Sequence, residues 1–376
     1  MTNDINTSQQ PPLSPHRVVP ELDLEEMPAL TPSPMEPERS NRLKVLAIIL
    51  FVFLLAVVCA IIGAFVWYQS QLQPISKRDK AVRITIASGT GGTVIADELE
   101  EKSLIRSSLA FQLYLRQSGD GSKIHAGTYL ISPSLSVAEI TDVLVEGKVA
   151  QQKITIPPGL RLDQLIAKLE DEGYPKPATE AALAKESRTL LKGIKPADAT
   201  LEGYIHPETY LLPLDASVDQ VIVQATKQFE IELTDKIENG IAKQGLTTHQ
   251  AVILASIIQK ESSSPATQAK IAQVFLKRLN EGLMLGSDVT FLYAAAIKGV
   301  RPTTTIDSPY NTRIYTGLPP GPIANFNSSA LEAVANPADG DFLFFVAGDN
   351  GKVYFSKTNK EHQENVDKYC IELCKL

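Results

Sequence analysis

Cysteine, histidine and long basic runs are what this 376-residue sequence has least of, and each shortage removes a class of function. The three cysteines, Cys59, Cys370 and Cys374, form neither a disulfide framework nor a zinc pattern. Cys370 and Cys374 stand four apart in "CIELC"; if that stretch is helical the thiols share a face, but a bridge between them is strained. Five histidines, none in a spaced cluster, lead us to expect no metal and no cofactor. The formal net charge of -7, with no long basic run, argues against a nucleic-acid partner.

One segment has the opposite character. "VLAIILFVFLLAVVCAIIGAFVWY", Val45 to Tyr68, carries no charge and exceeds the roughly 20 residues that span a bilayer. It is too long for a signal peptide, and Trp67 and Tyr68 suit a membrane interface. Arg39, Arg42 and Lys44 lie closer to it than Lys77, Arg78, Lys80 and Arg83 do, which predicts a cytoplasmic N-terminus and a C-terminal part beyond the membrane.

The rest of the chain divides by composition. Residues 1–42 hold eight prolines among polar and acidic residues and are expected to form a disordered cytoplasmic tail. Residues 43–68 are the membrane helix and 69–82 a polar spacer. Residues 83–200 read as small α+β modules with a weak internal repeat: "RITIASGTGGTVIADELEE" from Arg83 and "KITIPPGLRLDQLIAKLED" from Lys153 each give strand, glycine turn and amphipathic helix. Packing alone and wall-sugar binding are equal readings of this region.

Residues 201–376 turn mostly helical. A helix is expected near Val218–Ile241, and another capped by Thr247 or Thr248. A third starts at Ser264 and Pro265 and ends at Gly282. A hairpin turns at Asn350–Gly351, and a capping box in "TNKE" opens a last helix.

Within the second of these helices, Ile253, Leu254, Ile257, Ile258 and Glu261 fall on one stripe, with Gln259 and Lys260 pointing elsewhere. Apolar surroundings and the negative end of the helix both disfavour a charged Glu261, so its carboxyl group is expected to stay protonated near neutral pH. Such a group can deliver a proton to a leaving oxygen, while a structural ion pair is the plainer reading. A second constellation is "SPYNTRIYTGLPPGPIAN", Ser308 to Asn325, a stiff loop in which Tyr310, Asn311 and Thr312 offer polar groups suited to sugars, beside Pro319 and Pro320. Asp288 and Thr290 in "GSDVTFLYA", and Glu202 and Tyr204 in "LEGYIHPETY", complete the candidates; His206 reads as a turn residue.

Taken together, LEGY-x-x-P-x-TY, AS-I-x-x-KE, D-x-T-x-x-Y and SPYNT-x-x-x-TGLPPGPIAN resemble the endolytic murein transglycosylase (YceG-like) family, from the anchor to the final helix. The resemblance implies that Glu261 is the catalytic acid/base, that a LysM-like module precedes the catalytic domain, and that one anchor holds both at the bacterial cytoplasmic membrane. It implies glycan strands of peptidoglycan as substrate, cleaved between N-acetylmuramic acid and N-acetylglucosamine to leave 1,6-anhydro ends, with a peptidoglycan synthase as a companion. Glu202, Tyr204, Asp288, Thr290, Tyr310, Asn311, Thr312, Pro319 and Pro320 are then expected at the substrate. Three departures stand out: Gln259 where the family often has Glu, Val289 in place of Pro, and Phe326-Asn327 in place of Pro-Gly. The rival readings are a non-catalytic wall-binding protein and a hydrolase that pairs Glu261 with Asp288 or Glu202.

Overall fold

The computed structural model describes residues 39–77, 79–372 and 374. The expected tail therefore lies almost entirely outside the described residues. Its last four positions are helical: α1 (Arg39–Gln71) starts at Arg39, so the apolar run carries its helix back into the charged flank. The stretch Asn41–Gln71 is long and apolar enough to cross a membrane. At 1.5 Å per residue its 31 residues reach about 46 Å, against a hydrocarbon core of about 30 Å. The chain forms two compact units, one ending at Trp67 and the other running from Tyr68 to the C-terminus.

The second unit is a mixed α+β structure with two hydrophobic clusters. The first is built by β1 (Val82–Ile86), α2 (Gly92–Glu101), α3 (Ser108–Ser118), β2 (Gly127–Ile131) and α4 (Val137–Val145). β1 and β2 pair antiparallel, and Ile84, Ile95, Leu99, Phe111, Tyr129, Ile131, Ile140 and Leu144 pack between the strands and helices. Alternate strand residues and one stripe of each helix supply this core, as the two periodicities require. Ser107 caps α3, and Ser136 with Glu139 forms a capping box on α4.

The larger cluster begins with β3 (Gln151–Thr155), α5 (Leu162–Asp171), α6 (Lys176–Thr189) and β4 (Thr209–Pro213). Both copies of the expected repeat form strand, turn and helix, but they pair differently. β3 runs antiparallel to β4 and contributes Ile154 to the second cluster, not the first. The boundary expected at residue 200 thus falls inside one core, between Leu191 and Leu201.

Next come α7 (Val218–Glu232), α8 (Asp235–Lys243), α9 (Thr248–Glu261), α10 (Pro265–Asn280), α11 (Asp288–Lys298) and α12 (Ser328–Ala335). The single helix expected near Val218–Ile241 is two, because Thr234 accepts from the Ile237 N–H and starts a new N-terminus. Thr247, not Thr248, caps α9, with Gln250 closing a capping box. The chain ends with β5 (Phe344–Ala347), β6 (Val353–Ser356) and α13 (Asn359–Tyr369), joined and capped as expected.

Helix α13 stops at Tyr369 and does not continue through Cys370–Glu372, and Cys370 and Cys374 are joined in a disulfide with Cα atoms 5.4 Å apart. That spacing is ordinary for a bridge, which corrects the strain expected of a helical arrangement. The Asp349 carboxylate takes the N–H groups of Ile371 and Glu372, fastening this loop to the hairpin.

Two outcomes follow from this packing. A fragment starting at Gln71 keeps Leu72, which packs on the first cluster and accepts from the Val137 N–H. It should be soluble and show one cooperative α+β unfolding signal in circular dichroism; a fragment that aggregates would make the apolar helix part of the fold. Gly240 of α8 lies so close to α12 that an added Cβ would stand 2.7 Å from the Ala335 oxygen. Gly240→Ala should therefore cost about 1–3 kcal/mol of overpacking, against about 1 kcal/mol gained in helix propensity, and lower the urea midpoint.

Candidate active site

Helix α9 is buried on every side from Ala251 to Gln259, not along a single stripe. It runs through the core, and the chain around it supplies partners for its few polar groups. The Ser256 hydroxyl donates to the Ile253 carbonyl and accepts from the Ile323 N–H at 3.0 Å, tying the proline-rich loop to the middle of the helix. Gln259, expected to point away, is buried and accepts from the Asn327 N–H at 3.1 Å. Two of the family departures, Gln259 and Asn327, are thus bonded to each other. Lys260 is exposed, and its ammonium reaches the Gly159 carbonyl.

Glu261 is the last residue of α9, half-buried where the core opens. Desolvation pushes its carboxyl group up to about 7, helped by the nearby Asp288 charge and opposed by Ser287 and Arg313. The helix end contributes in the same direction, since α9 points its negative pole at this group. Near neutral pH the group therefore exchanges a proton readily in both directions, as an acid/base catalyst must.

The direct partner of Glu261 is Ser287, whose hydroxyl donates to Oε1 at 2.5 Å. Ser287 occupies the N-cap of α11, yet its side chain makes no cap bond to that helix. The Thr290 hydroxyl donates to the Ser287 carbonyl at 2.6 Å, and the Ser287 N–H donates to the Thr312 hydroxyl at 3.1 Å. The two threonine hydroxyls meet at 2.9 Å. Asp288 and Arg313 form an ion pair on the outer side of this cluster.

The expected site residues fall into three places. Thr290, Thr312 and Asp288 gather around Ser287 beside Glu261. Asn311 adjoins them in sequence but is fully buried, its amide donating to the Thr304 and Ile306 carbonyls and accepting from the Arg313 N–H. Glu202 belongs to a second group. It is buried, accepts from the Leu162 N–H at 3.0 Å and from the Tyr293 hydroxyl at 3.4 Å, and desolvation raises it to about 7. Half-buried Tyr310 packs on Tyr293 with ring centroids 4.8 Å apart.

Tyr204 lies deeper, fully buried against Phe229, with its hydroxyl 2.6 Å from His249 Nδ1. Pro319 is buried and Pro320 exposed. Beside them Pro322 packs on Gly203, where an added Cβ would stand 2.5 Å from the proline ring and the backbone has φ +81°. Only glycine fits there, which fixes "LEGY" against "GLPPGP".

Ser287, Tyr293 and Arg313 are the neighbours that sequence reasoning passed over. For Ser287 the signal was present but misleading: Ser before Asp at a helix start reads as a cap. For Tyr293, the "x-x-Y" of the motif placed it one helical turn beyond Thr290, on the same face of α11. Among the described residues no three His, Cys, Asp or Glu side chains converge as a metal site would require.

Comparison with known proteins places the chain as a whole. The sequence model of the YceG-like family matches residues 84–368. The endolytic murein transglycosylase of Bacillus subtilis (strain 168) is 35% identical over 328 residues, covering 82% of this chain and 90% of that protein. The endolytic murein transglycosylase of Streptococcus pneumoniae serotype 2 (strain D39) is 29% identical over 85% of this chain, which spans 64% of that relative's length. The crystal structure of a YceG-like protein from Listeria monocytogenes matches with a TM-score of 0.51 and 31% identity, covering 76% of this chain and 98% of that one. With most of its length matched in sequence and in fold, this chain belongs to the YceG-like family.

Proposed function

We propose that this chain is an endolytic murein transglycosylase in which Glu261 acts first as acid and then as base. The observation that carries the reading is a carboxyl group at the mouth of a core helix, raised to about 7 and bonded to a serine hydroxyl. Glu261 protonates the glycosidic oxygen between N-acetylmuramic acid and N-acetylglucosamine. The C6 hydroxyl of the muramic acid attacks its own C1, the glycosidic bond breaks, and ionised Glu261 takes the hydroxyl proton. The strand then ends in a 1,6-anhydro sugar, and elongation is limited.

No second carboxylate is needed for this route, unlike ordinary glycoside hydrolysis. That agrees with the surroundings of the two rivals. Asp288 is paired with Arg313, and Glu202 is buried among Leu162, Tyr293 and Tyr310. We assign Asp288 and Tyr310 to the substrate rim, Thr290 and Thr312 to holding Ser287, and Asn311, Glu202, Tyr204 and the prolines to fixing the loops behind them. The strand–helix–helix–strand order of β1, α2, α3 and β2 supports reading residues 82–149 as the LysM-like module. The shared core supports extending the catalytic domain back to β3. The apolar helix supports a single-pass anchor; the cytoplasmic membrane, a catalytic part outside it and a peptidoglycan synthase as companion belong to the same proposal.

Glu261→Gln should retain glycan binding and lose about 100- to 10,000-fold in cleavage. Mass spectrometry of digested strands should find anhydro ends with the wild type and none with the variant; reducing ends would identify a hydrolase instead. The raised carboxyl also fixes a sign. Between its ordinary value of 4.5 and about 7, the folded chain binds a proton that the unfolded chain releases, so this group's stabilisation fades as pH rises through 7. Glu261→Gln should therefore gain stability relative to wild type at pH 8 compared with pH 5, read by thermal melts.

Ser287→Ala removes a donor that favours the ionised form, so the alkaline limb of the pH–rate profile should move upward by about half to one unit. The maximal rate should fall no more than about tenfold. Because the hydroxyl makes no cap bond, α11 should melt as before. An unmoved limb would separate Ser287 from the titration of Glu261.

A further inference from the structure

Arg313 lies within electrostatic reach of Glu261 and pairs with Asp288, and, two residues on, Tyr315 donates its hydroxyl to Asp307. The Arg313 backbone is held firmly. Thr312, the residue before it, donates its N–H to the Thr290 hydroxyl, and the Arg313 N–H donates to Asn311. Its side chain is not enclosed: it is 43% exposed, and its partner Asp288 is 55% exposed. The bond between them uses Nε alone, and the two terminal Nη groups make no hydrogen bond to the described residues. Ile314 and Tyr315 beside it are also about half exposed. A planar guanidinium with a vacant donor edge, on a fixed backbone next to an apolar and aromatic flank, is shaped to take a carboxylate.

We propose that Arg313 is a specificity residue that takes a carboxylate carried by the muramic acid substituent of the strand, so that anionic strands are preferred over neutralised ones. This rests on the murein reading above. Murein offers that chemistry from two sources. A strand stripped of peptide exposes the lactyl carboxylate of muramic acid. In a peptide-bearing strand the lactyl group is an amide, and the α-carboxylate of the stem glutamate takes its place unless it too is amidated. Asp288, bonded to Nε, keeps the guanidinium oriented and leaves its Nη edge for the substrate anion.

The test uses three defined strands: peptide-free, peptide-bearing with a free glutamate carboxylate, and the same with that carboxylate amidated. Affinities are measured with the full chain carrying Glu261→Gln, and kcat and KM with the otherwise native chain. A charge-assisted bond at a half-exposed site should favour one of the two anionic strands over the amidated one by about 5- to 10-fold, in Kd and in KM, with kcat little changed. The strand favoured identifies the source. Arg313→Gln should reduce that ratio to about one, and Arg313→Lys should recover part of it. A ratio that survives Arg313→Gln overturns the proposal. So does an equal loss on all three strands with a shifted pH profile, which would make Arg313 only a support for Asp288 and Glu261. If the native chain cleaves none of the strands, the murein reading fails, while the affinity ratio still decides what Arg313 binds.

Discussion

The Ser287 hydroxyl stands where it would ordinarily cap α11, and it is bonded to Glu261 instead. A serine cap contributes about 1 kcal/mol to a helix, so the diversion has a cost. Local structure is set aside here to hold a carboxyl group in one orientation. Ser287 can do this because its own backbone is not free to move: Thr290 donates to its carbonyl and Thr312 accepts from its N–H. The threonines are in turn bonded to each other, and Asn311 anchors their loop through two carbonyls of the preceding segment. Thr290, Asn311 and Thr312, separate polar groups in the sequence, form one buried scaffold with Glu261 at its edge.

The scaffold also explains why α9 is so apolar. A helix buried on all sides must have its remaining polar groups satisfied from outside, and Ser256 and Gln259 each receive a backbone N–H from the segment after the prolines. These two bonds set the height at which the proline-rich loop crosses the helix. Pro322 resting on Gly203 then fixes the opposite side. Glu261 comes at the C-terminal end, where the helix leaves the core, so its carboxyl group is desolvated without being sealed off.

Periodicity made much of the fold legible. The long apolar helix, the strand–turn–helix pairs, the hairpin at Asn350–Gly351 and the box at Thr358 all depend on residues close in sequence, where side-chain type and local geometry are tightly linked. Failures came where distant partners decided. Nothing within residues 83–200 shows that β3 would leave its apparent twin β1 and pair with β4, because strand pairing is set by what lies across the sheet. Thr234 was hidden inside a continuous amphipathic pattern that spans α7 and α8. In the site, Glu261 was visible because a carboxylate among isoleucines breaks a rule. Ser287 and Arg313 break none, and only their three-dimensional neighbours distinguish them.

Glu202 sharpens the case for a single working carboxyl group. Burial raises it to about 7, as it does Glu261, so titration alone would not choose between them. Their bonds do. Glu202 receives the Leu162 N–H at the start of α5 and the Tyr293 hydroxyl from α11, both on Oε2, so one of its oxygens joins two elements of the core. Glu261 receives one hydroxyl on Oε1 and stands at the surface beside an exposed ion pair. A buried carboxyl group bonded to two core elements ties them together; a half-buried one at an opening can pass a proton to something outside. The same physical shift thus accompanies different degrees of access, and on the reading proposed above it is access that separates the two groups.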